Sequence, residues 1–335
     1  MPSTPPMSEA LPSYADVLTA AERLAGHALE TPVLESPVLN ERVGGRLLLK
    51  AEPLQRTGSF KFRGAYNRLR QIPDAERAAG VVAFSSGNHA QAVAAAAHEL
   101  GLPAIIVMPD NAPRLKRQGT ERWGVEIVTY DGRQPETRER MAEKILAARG
   151  GTLVRPFDDI QVIAGQGTVG LELVRQSEAI GARLDATLVP CGGGGLTAGV
   201  ATAVKHLSAD TKVFAVEPEG YNNTTRSLAA GNRVPNQPGA YSFCDALTPP
   251  LPGAITFAVN RRLLSGGLVV RDDEVAAAML LAFVHLKLVI EPGGAVALAA
   301  ALSGAIDCRG KTVAVVASGG NVDPTTFAQV LAGDV

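Results

Sequence analysis

Aromatic residues make up only 4% of the 335 positions, too few for the stacking platforms that hold single-stranded nucleic acid. Neither sign of charge is in excess, since 32 Lys and Arg face 33 Asp and Glu. The chain therefore has no broad cationic field for nucleic acid or an anionic membrane, and neither partner is expected. The three cysteines, at 191, 244 and 308, form no CxxC pair and are odd in number. They argue against a disulfide framework or a zinc knuckle and point to a reducing, cytoplasmic setting. No apolar run reaches the roughly 20 uninterrupted residues of a membrane span. The start, MPSTPPMSEALPSYADV, has no basic segment leading into an apolar one, as a secretory signal would. Its prolines and serines predict a loose arm to about Tyr14.

What is present is apolar and ordered. Hydrophobic residues reach 46% and charged ones 19%, enough to build cores and, at this length, about two domains. Short β-rich runs alternate with helical ones: LLLK (47–50), VVAF (81–84), AIIVMP (104–109), VEIVTYD (125–131), TLVRPF (152–157), ATLVP (186–190), VFAVEP (213–218) and TVAVVA (312–317). QAVAAAAHEL (91–100) and TRERMAEKILAAR (137–149) read as helices, each closed by glycine. The richest apolar stretch, 275–290, carries His285 and Lys287 and predicts a buried helix. The alternation predicts an α/β fold of parallel twisted sheets flanked by helices, with the strand C-terminal ends on one side.

Three strands run into small, Gly-rich polar loops: SSGNHA after 84, CGGGGL after 190 and SGGNVD after 317. Free amides at such ends bind anions. Gly192, Gly193, Gly194 and Gly195 form a backbone cradle suited to phosphate, against the alternative of a plain turn. Ser85, Ser86, Gly87, Asn88 and His89 are more polar groups than one helix cap needs and suit a substrate carboxylate; His89 alone is as readily structural. Gly165–Gly170 matches GxGxxG literally but continues into a helix, so close helix packing explains it better than dinucleotide binding. In Thr57–Ala65, Lys61 stands between Phe60 and Phe62, which can shield it; desolvation lowers a lysine's pKa and frees a nucleophilic amine. An amine, a phosphate cradle and a carboxylate cradle suit an aldehyde-phosphate cofactor holding an amino acid.

GSFKFRGA, SSGNHAQAVA, VIAGQGT, GGGGL, EPGGA and SGGN occur here in the order they take in the fold-type II pyridoxal-phosphate enzymes. From about residue 15 to 330 the chain resembles the serine/threonine dehydratase (ammonia-lyase) and serine racemase family, with its tryptophan synthase β-like fold. The resemblance implies pyridoxal 5'-phosphate on Lys61, its ring hydroxyl on Asn88, its phosphate on Gly192–Gly195 and Ser318 facing its pyridine nitrogen. Phe60 and Phe157 would pack against it, and Ser86 falls where racemases place a second acid/base. A neutral Ser318 makes a weaker electron sink than a charged partner would, which favours prompt β-elimination. With Lys61 taking the Cα proton, loss of the β-hydroxyl leaves an imine that hydrolyses to a 2-oxo acid and ammonia.

Within the family, HAQ and Pro156-Phe157-Asp158-Asp159 lean towards dehydration of L-threonine and L-serine. Arg138 keeps threo-3-hydroxyaspartate open, and Ser86 keeps serine racemisation open. Some relatives bind a divalent cation; Glu217, the Tyr221 carbonyl and Asn223 fall at those positions, Asn223 being a weak ligand for a hard cation, with a solvated loop as the alternative. The expected organisation is a large cofactor domain of 1–74 and 156–335 and a small substrate-carboxylate domain of 75–155. A homodimer is the family expectation. Rival readings are a catalytically dead homologue, which an intact Lys61 opposes, and a nicotinamide dehydrogenase built on Gly165–Gly170.

Overall fold

The computed structural model describes residues 11–112, 114–134 and 137–334; the expected N-terminal arm lies outside them up to residue 10. Two sheets carry the fold. The larger contains β1 (Val33–Glu35), β2 (Arg46–Ala51), β7 (Ala186–Pro190), β8 (Lys212–Pro218), β9 (Gly266–Val270) and β10 (Thr312–Ala317) in the order β1-β2-β10-β7-β8-β9. Only β1 runs antiparallel. The smaller contains β3 (Val81–Phe84), β4 (Ala104–Pro109), β5 (Glu126–Tyr130) and β6 (Thr152–Leu153), ordered β5-β4-β3-β6 and all parallel. The helices that precede the smaller sheet in the chain are α1 (Tyr14–Leu24), α2 (Pro37–Val43), α3 (Lys61–Leu69) and α4 (Asp74–Arg77). Around the smaller sheet lie α5 (Asn88–Leu100), α6 (Arg114–Glu121) and α7 (Thr137–Arg149). The chain then continues through α8 (Ile160–Ala179), α9 (Gly195–Leu207), α10 (Asn223–Ala230) and α11 (Ala254–Leu263), and ends with α12 (Asp272–Leu286), α13 (Pro292–Leu302) and α14 (Pro324–Ala332). The chain is thus an α/β protein of parallel sheets flanked by helices.

The central strands of both sheets are buried because helices cover both faces: β7 and β3 are buried at every position. Burying side chains such as Phe62, Ile106 and Met108 completely contributes roughly 1.5–3 kcal/mol each. The core of the smaller sheet also takes in Leu24 from α1 and Phe62, Ala65, Tyr66 and Leu69 from α3, so helices that precede it in sequence pack on it. Helix α8 begins at Asp159, whose carboxylate caps the amides of Gln161 and Val162, and its glycines are contact points. A Cβ at Gly165 would lie 2.7 Å from the Arg63 carbonyl, and one at Gly170 2.8 Å from the Val200 carbonyl. The literal GxGxxG is therefore a helix-packing seam.

Two expectations need correction. The run 152–157 is a strand only at Thr152–Leu153, after which the chain leaves the sheet to reach the site. Helix α12 is not wholly buried: Leu280, Phe283 and Val284 are exposed along one face. No described helix is long and apolar enough to cross a membrane.

Candidate active site

Lys61 opens α3 and projects into the cleft on the C-terminal side of the strands. Its Nζ donates to the Pro156 carbonyl at 2.7 Å and lies 5.1 Å from the Phe60 ring centroid. Burial lowers its pKa to about 8, against a partial pull upward from Glu291, so a free amine is accessible near neutral pH. Phe62 does not shield it. Residues 60 and 62 are about 200° apart on a helix, and Phe62 is turned into the core against Tyr66, beneath the Arg56 guanidinium.

The glycine loop follows β7 and leads into α9. Gly194 has φ 91° and caps the helix. The N–H groups of Gly192, Gly193 and Gly194 have no hydrogen-bond acceptor among the described residues, which leaves them free for an anion. A Cβ at Gly193 would lie 2.3 Å from the Phe157 ring and one at Gly194 2.8 Å from Asn260 Nδ2. Asn260 Oδ1 is buried without a partner. The loop's carbonyls are fixed instead: Thr256 Oγ1 donates to Gly193 O at 2.7 Å. An open row of donors on a strapped loop fits a phosphate.

The third loop, after β10, joins these to the smaller sheet. The Phe60 N–H donates to the Ser318 carbonyl at 3.1 Å, and Ser318 itself is nearly buried at the strand end. Asn321 Nδ2 donates to Asn88 Oδ1 at 2.7 Å and to the Thr57 carbonyl at 2.8 Å. Asn88 Nδ2 in turn donates to Glu291 Oε1 at 2.5 Å. Each end of the Asn88 amide keeps one further bonding position. Ser59 Oγ is buried beside this network without a partner. A cavity of about 680 Å³ opens against it, lined by Gln91 and Lys116 on one side and Glu291 and Asn321 on the other.

Ser85 to Gly87 lie between β3 and α5, and Asn88 and His89 open α5. Ser85 Oγ accepts from the Gly87 N–H at 3.1 Å, while the amides of Ser86, Asn88 and His89 have no acceptor among the described residues. The His89 ring is not presented to the cleft. It is 3% exposed, its Nε2 pairs with the Val154 carbonyl at 3.0 Å, and burial, with the Lys61 charge, drops its pKa to about 3. It is a neutral structural ring, and its backbone N–H is what it can offer a carboxylate.

Glu291 and Asn321 carry the network; they lie within EPGGA and SGGN, the motifs that mark them in the sequence. Burial, reinforced by Asp245, lifts the Glu291 carboxyl to about 7. The folded protein then holds a proton that the unfolded chain, at the ordinary 4.5, has lost. Stability accordingly falls as pH rises from about 4.5 to about 7, by roughly 3 kcal/mol for this group, and levels off above. Glu217 acts with the same sign, burial raising it to about 7. Because the depressed His89 opposes the two carboxyls up to its ordinary 6.5, Glu291→Gln is expected to remove most of the decline of Tm with pH over this window; an unchanged decline would contradict the raised carboxyl.

Glu217 and Asn223, the expected cation ligands, each have protein partners. Glu217 Oε1 accepts from the Thr224 N–H at 2.8 Å, and Oε2 from the Thr225 N–H and Oγ1 at 2.7 Å each. The start of α10 thus gives both oxygens donors, an effect that burial outweighs. Asn223 turns its Nδ2 to the Pro249 carbonyl at 2.8 Å. No cluster of three His, Cys, Asp or Glu suited to a metal occurs among the described residues. A chelator is expected to leave Tm and turnover unchanged; a Tm lowered by several degrees and restored by magnesium would contradict this.

A parallel-sheet protein with a desolvated lysine, a phosphate cradle and an amide-rich carboxylate loop around one cleft is of the kind that works through an aldehyde-phosphate cofactor. The family model described as "Pyridoxal-phosphate dependent enzyme" matches residues 24–319, and the chain belongs to that family. It is 42% identical to the L-threo-3-hydroxyaspartate ammonia-lyase of Saccharomyces cerevisiae, over 96% of this chain and 97% of the relative. It is 37% identical to the catabolic L-threonine dehydratase of Escherichia coli, over 94% of each. The structure of maize serine racemase superposes with a TM-score of 0.90 at 36% identity, covering 97% of this chain and 98% of the other. These are fold-type II enzymes, as the motif order implies.

Proposed function

We propose that the protein is a pyridoxal-phosphate-dependent ammonia-lyase of L-threo-3-hydroxyaspartate, releasing oxaloacetate and ammonia. The observation that carries the substrate is Arg138. Its guanidinium lies 5.6 Å from the ring centroid of Phe84, the last residue of β3 before Ser85, and no described carboxylate pairs with it. A free guanidinium beside the carboxylate loop suits a substrate with a second carboxylate, in the planar two-bond geometry arginine favours. The name of the yeast relative supports the same choice.

Pyridoxal phosphate, when bound, supplies an electron sink for the charge left at Cα. The chain's residues do the rest. The Gly192–Gly195 amides hold the phosphate, Asn88 the ring hydroxyl, and Ser318 faces the pyridine nitrogen as a neutral hydroxyl. The Ser86, Asn88 and His89 amides take the α-carboxylate, Arg138 the β-carboxylate, and the Lys61 amine removes the Cα proton. The Ser86 hydroxyl would serve as a second acid/base.

Residues 75–155 act as a small domain that closes on the remainder, a motion for which the ion pair between Lys116 on α6 and Asp245 across the cleft is placed. The exposed apolar face of α12, with Leu331 nearby in the sequence's last helix, supports a homodimer. The three buried free cysteines support a reducing compartment. Dehydration of L-threonine and L-serine is the second reading, favoured by Phe157 pressed on the glycine loop. Release of 2-oxo acid from the three amino acids in parallel separates them. The hydroxyaspartate reading expects the highest kcat/KM for that substrate; an equal or higher value for L-threonine overturns it.

A further inference from the structure

On the side of α3 turned away from the cleft, four charged groups meet, three of them buried. Lys50 on β2 and Glu52 just after it are 0% exposed, Arg63 is 1% and Glu172 on α8 is 18%. Arg63 donates through Nε and Nη2 to the two Glu52 oxygens at 2.9 and 2.8 Å. It donates through Nη1 and Nη2 to the two Glu172 oxygens at 2.5 and 2.8 Å. Thr168 Oγ1 and the Leu29 carbonyl accept the remaining bonds at 3.1 Å each. Lys50 Nζ completes the cluster on Glu172 Oε2 at 2.7 Å, Gln176 Oε1 at 2.9 Å and the Thr31 carbonyl at 2.5 Å. Two cations and two carboxylates leave it neutral.

Stability does not account for this arrangement. Apolar side chains of the same volume generally serve a core as well as, or better than, a buried ion cluster. What the cluster supplies is direction. A planar guanidinium satisfies two carboxylates in one orientation only, whereas an ammonium at the same place is a point charge free to swivel. Arg63 stands in the first turn of α3, two residues after Lys61 and about 200° around the helix from it. In the first turn of α3 the guanidinium is the side chain that ties the helix to Glu52 and Glu172, whereas farther along Asn67, Arg68 and Gln71 bond to Gln161 and Asp159. A Cβ at Gly64 would lie 2.3 Å from Gln166 Nε2 and 2.8 Å from the Val162 carbonyl, so the two helices meet closely there.

Resting on the reading of Lys61 as the residue that holds pyridoxal phosphate, we propose that Arg63 is a positioning residue: its fork on Glu52 and Glu172 sets the rotation of α3 and so the place of the Lys61 amine in the cleft. Arg63→Lys keeps the charge and removes the fork. In the holoenzyme it is expected to lower kcat at least about tenfold with KM unchanged, because the loops that bind substrate are untouched. The second readout is independent of turnover. In apoprotein mixed with pyridoxal phosphate, the Lys61 amine condenses with the aldehyde, one water leaving; borohydride then reduces the C=N bond, and peptide mass locates it. Capture is expected to slow in the variant by a factor similar to the loss in kcat.

Should Arg63→Lys not fold, Glu172→Gln, which weakens half of the fork, carries the same expectations. A folded variant with wild-type kcat and capture rate overturns the positioning role alone. So does a variant whose KM rises while kcat holds. A wild type that captures no cofactor at Lys61 overturns the underlying assignment instead.

Discussion

Lys61→Ala is expected to lower kcat by at least about ten-thousandfold, since it removes both the covalent anchor and the base. The side chain makes one hydrogen bond, to the Pro156 carbonyl, and stands in the cleft with Phe60. Its loss leaves no hole in the main cores, and the variant is expected to remain folded with a Tm near that of the wild type. Removing a desolvated amine, lowered to about 8, also removes a group whose folded state holds its proton less tightly than the unfolded chain. That group adds stability as pH rises from about 8 towards about 10.5, so wild type and variant should diverge in Tm over this alkaline window. Steady-state turnover and a thermal melt across pH check both parts; turnover within tenfold of wild type would remove Lys61 from the chemistry.

Arg138→Leu is expected to separate substrates. For L-threo-3-hydroxyaspartate it leaves a second carboxylate without its partner, a loss of about 3 kcal/mol or more, which is over a hundredfold in kcat/KM. L-Serine has no second carboxylate and is expected to change by far less. The guanidinium rests on the Phe84 ring, and leucine keeps apolar contact there, so the strand end stays packed. Parallel kcat/KM values for the two substrates are the check. An equal loss for both would make Arg138 a support for the loop and return preference to L-threonine and L-serine.

The loops of this site are legible in the sequence because small polar residues interrupt apolar strands abruptly, and nothing in packing alone calls for four consecutive glycines. Their partners are less legible. Asn88 meets Glu291 across 203 residues and Asn321 across 233, and no local pattern records such a pairing. Phe62 reads as a shield for Lys61 in sequence for a different reason: only the start of α3 at Lys61 fixes the helical phase that sends Phe62 into the core. The apolar face of α12 shows a third limit, since composition counts apolar residues without stating which face lacks a cover. Glu217 shows the fourth. A carboxylate at the end of β8 reads as a ligand in sequence, and the amides that satisfy it are fixed only once α10 starts at Asn223.

The most direct test is the visible absorption spectrum of the purified protein before and after L-threo-3-hydroxyaspartate, with oxaloacetate and ammonia measured in the same cuvette. The expected result is a visible band that is lost or displaced in Lys61→Ala, and oxaloacetate and ammonia appearing in equal amounts with the wild type only. A wild type that stays colourless after incubation with pyridoxal phosphate, or a Lys61→Ala variant with the same band and rate, would contradict the account.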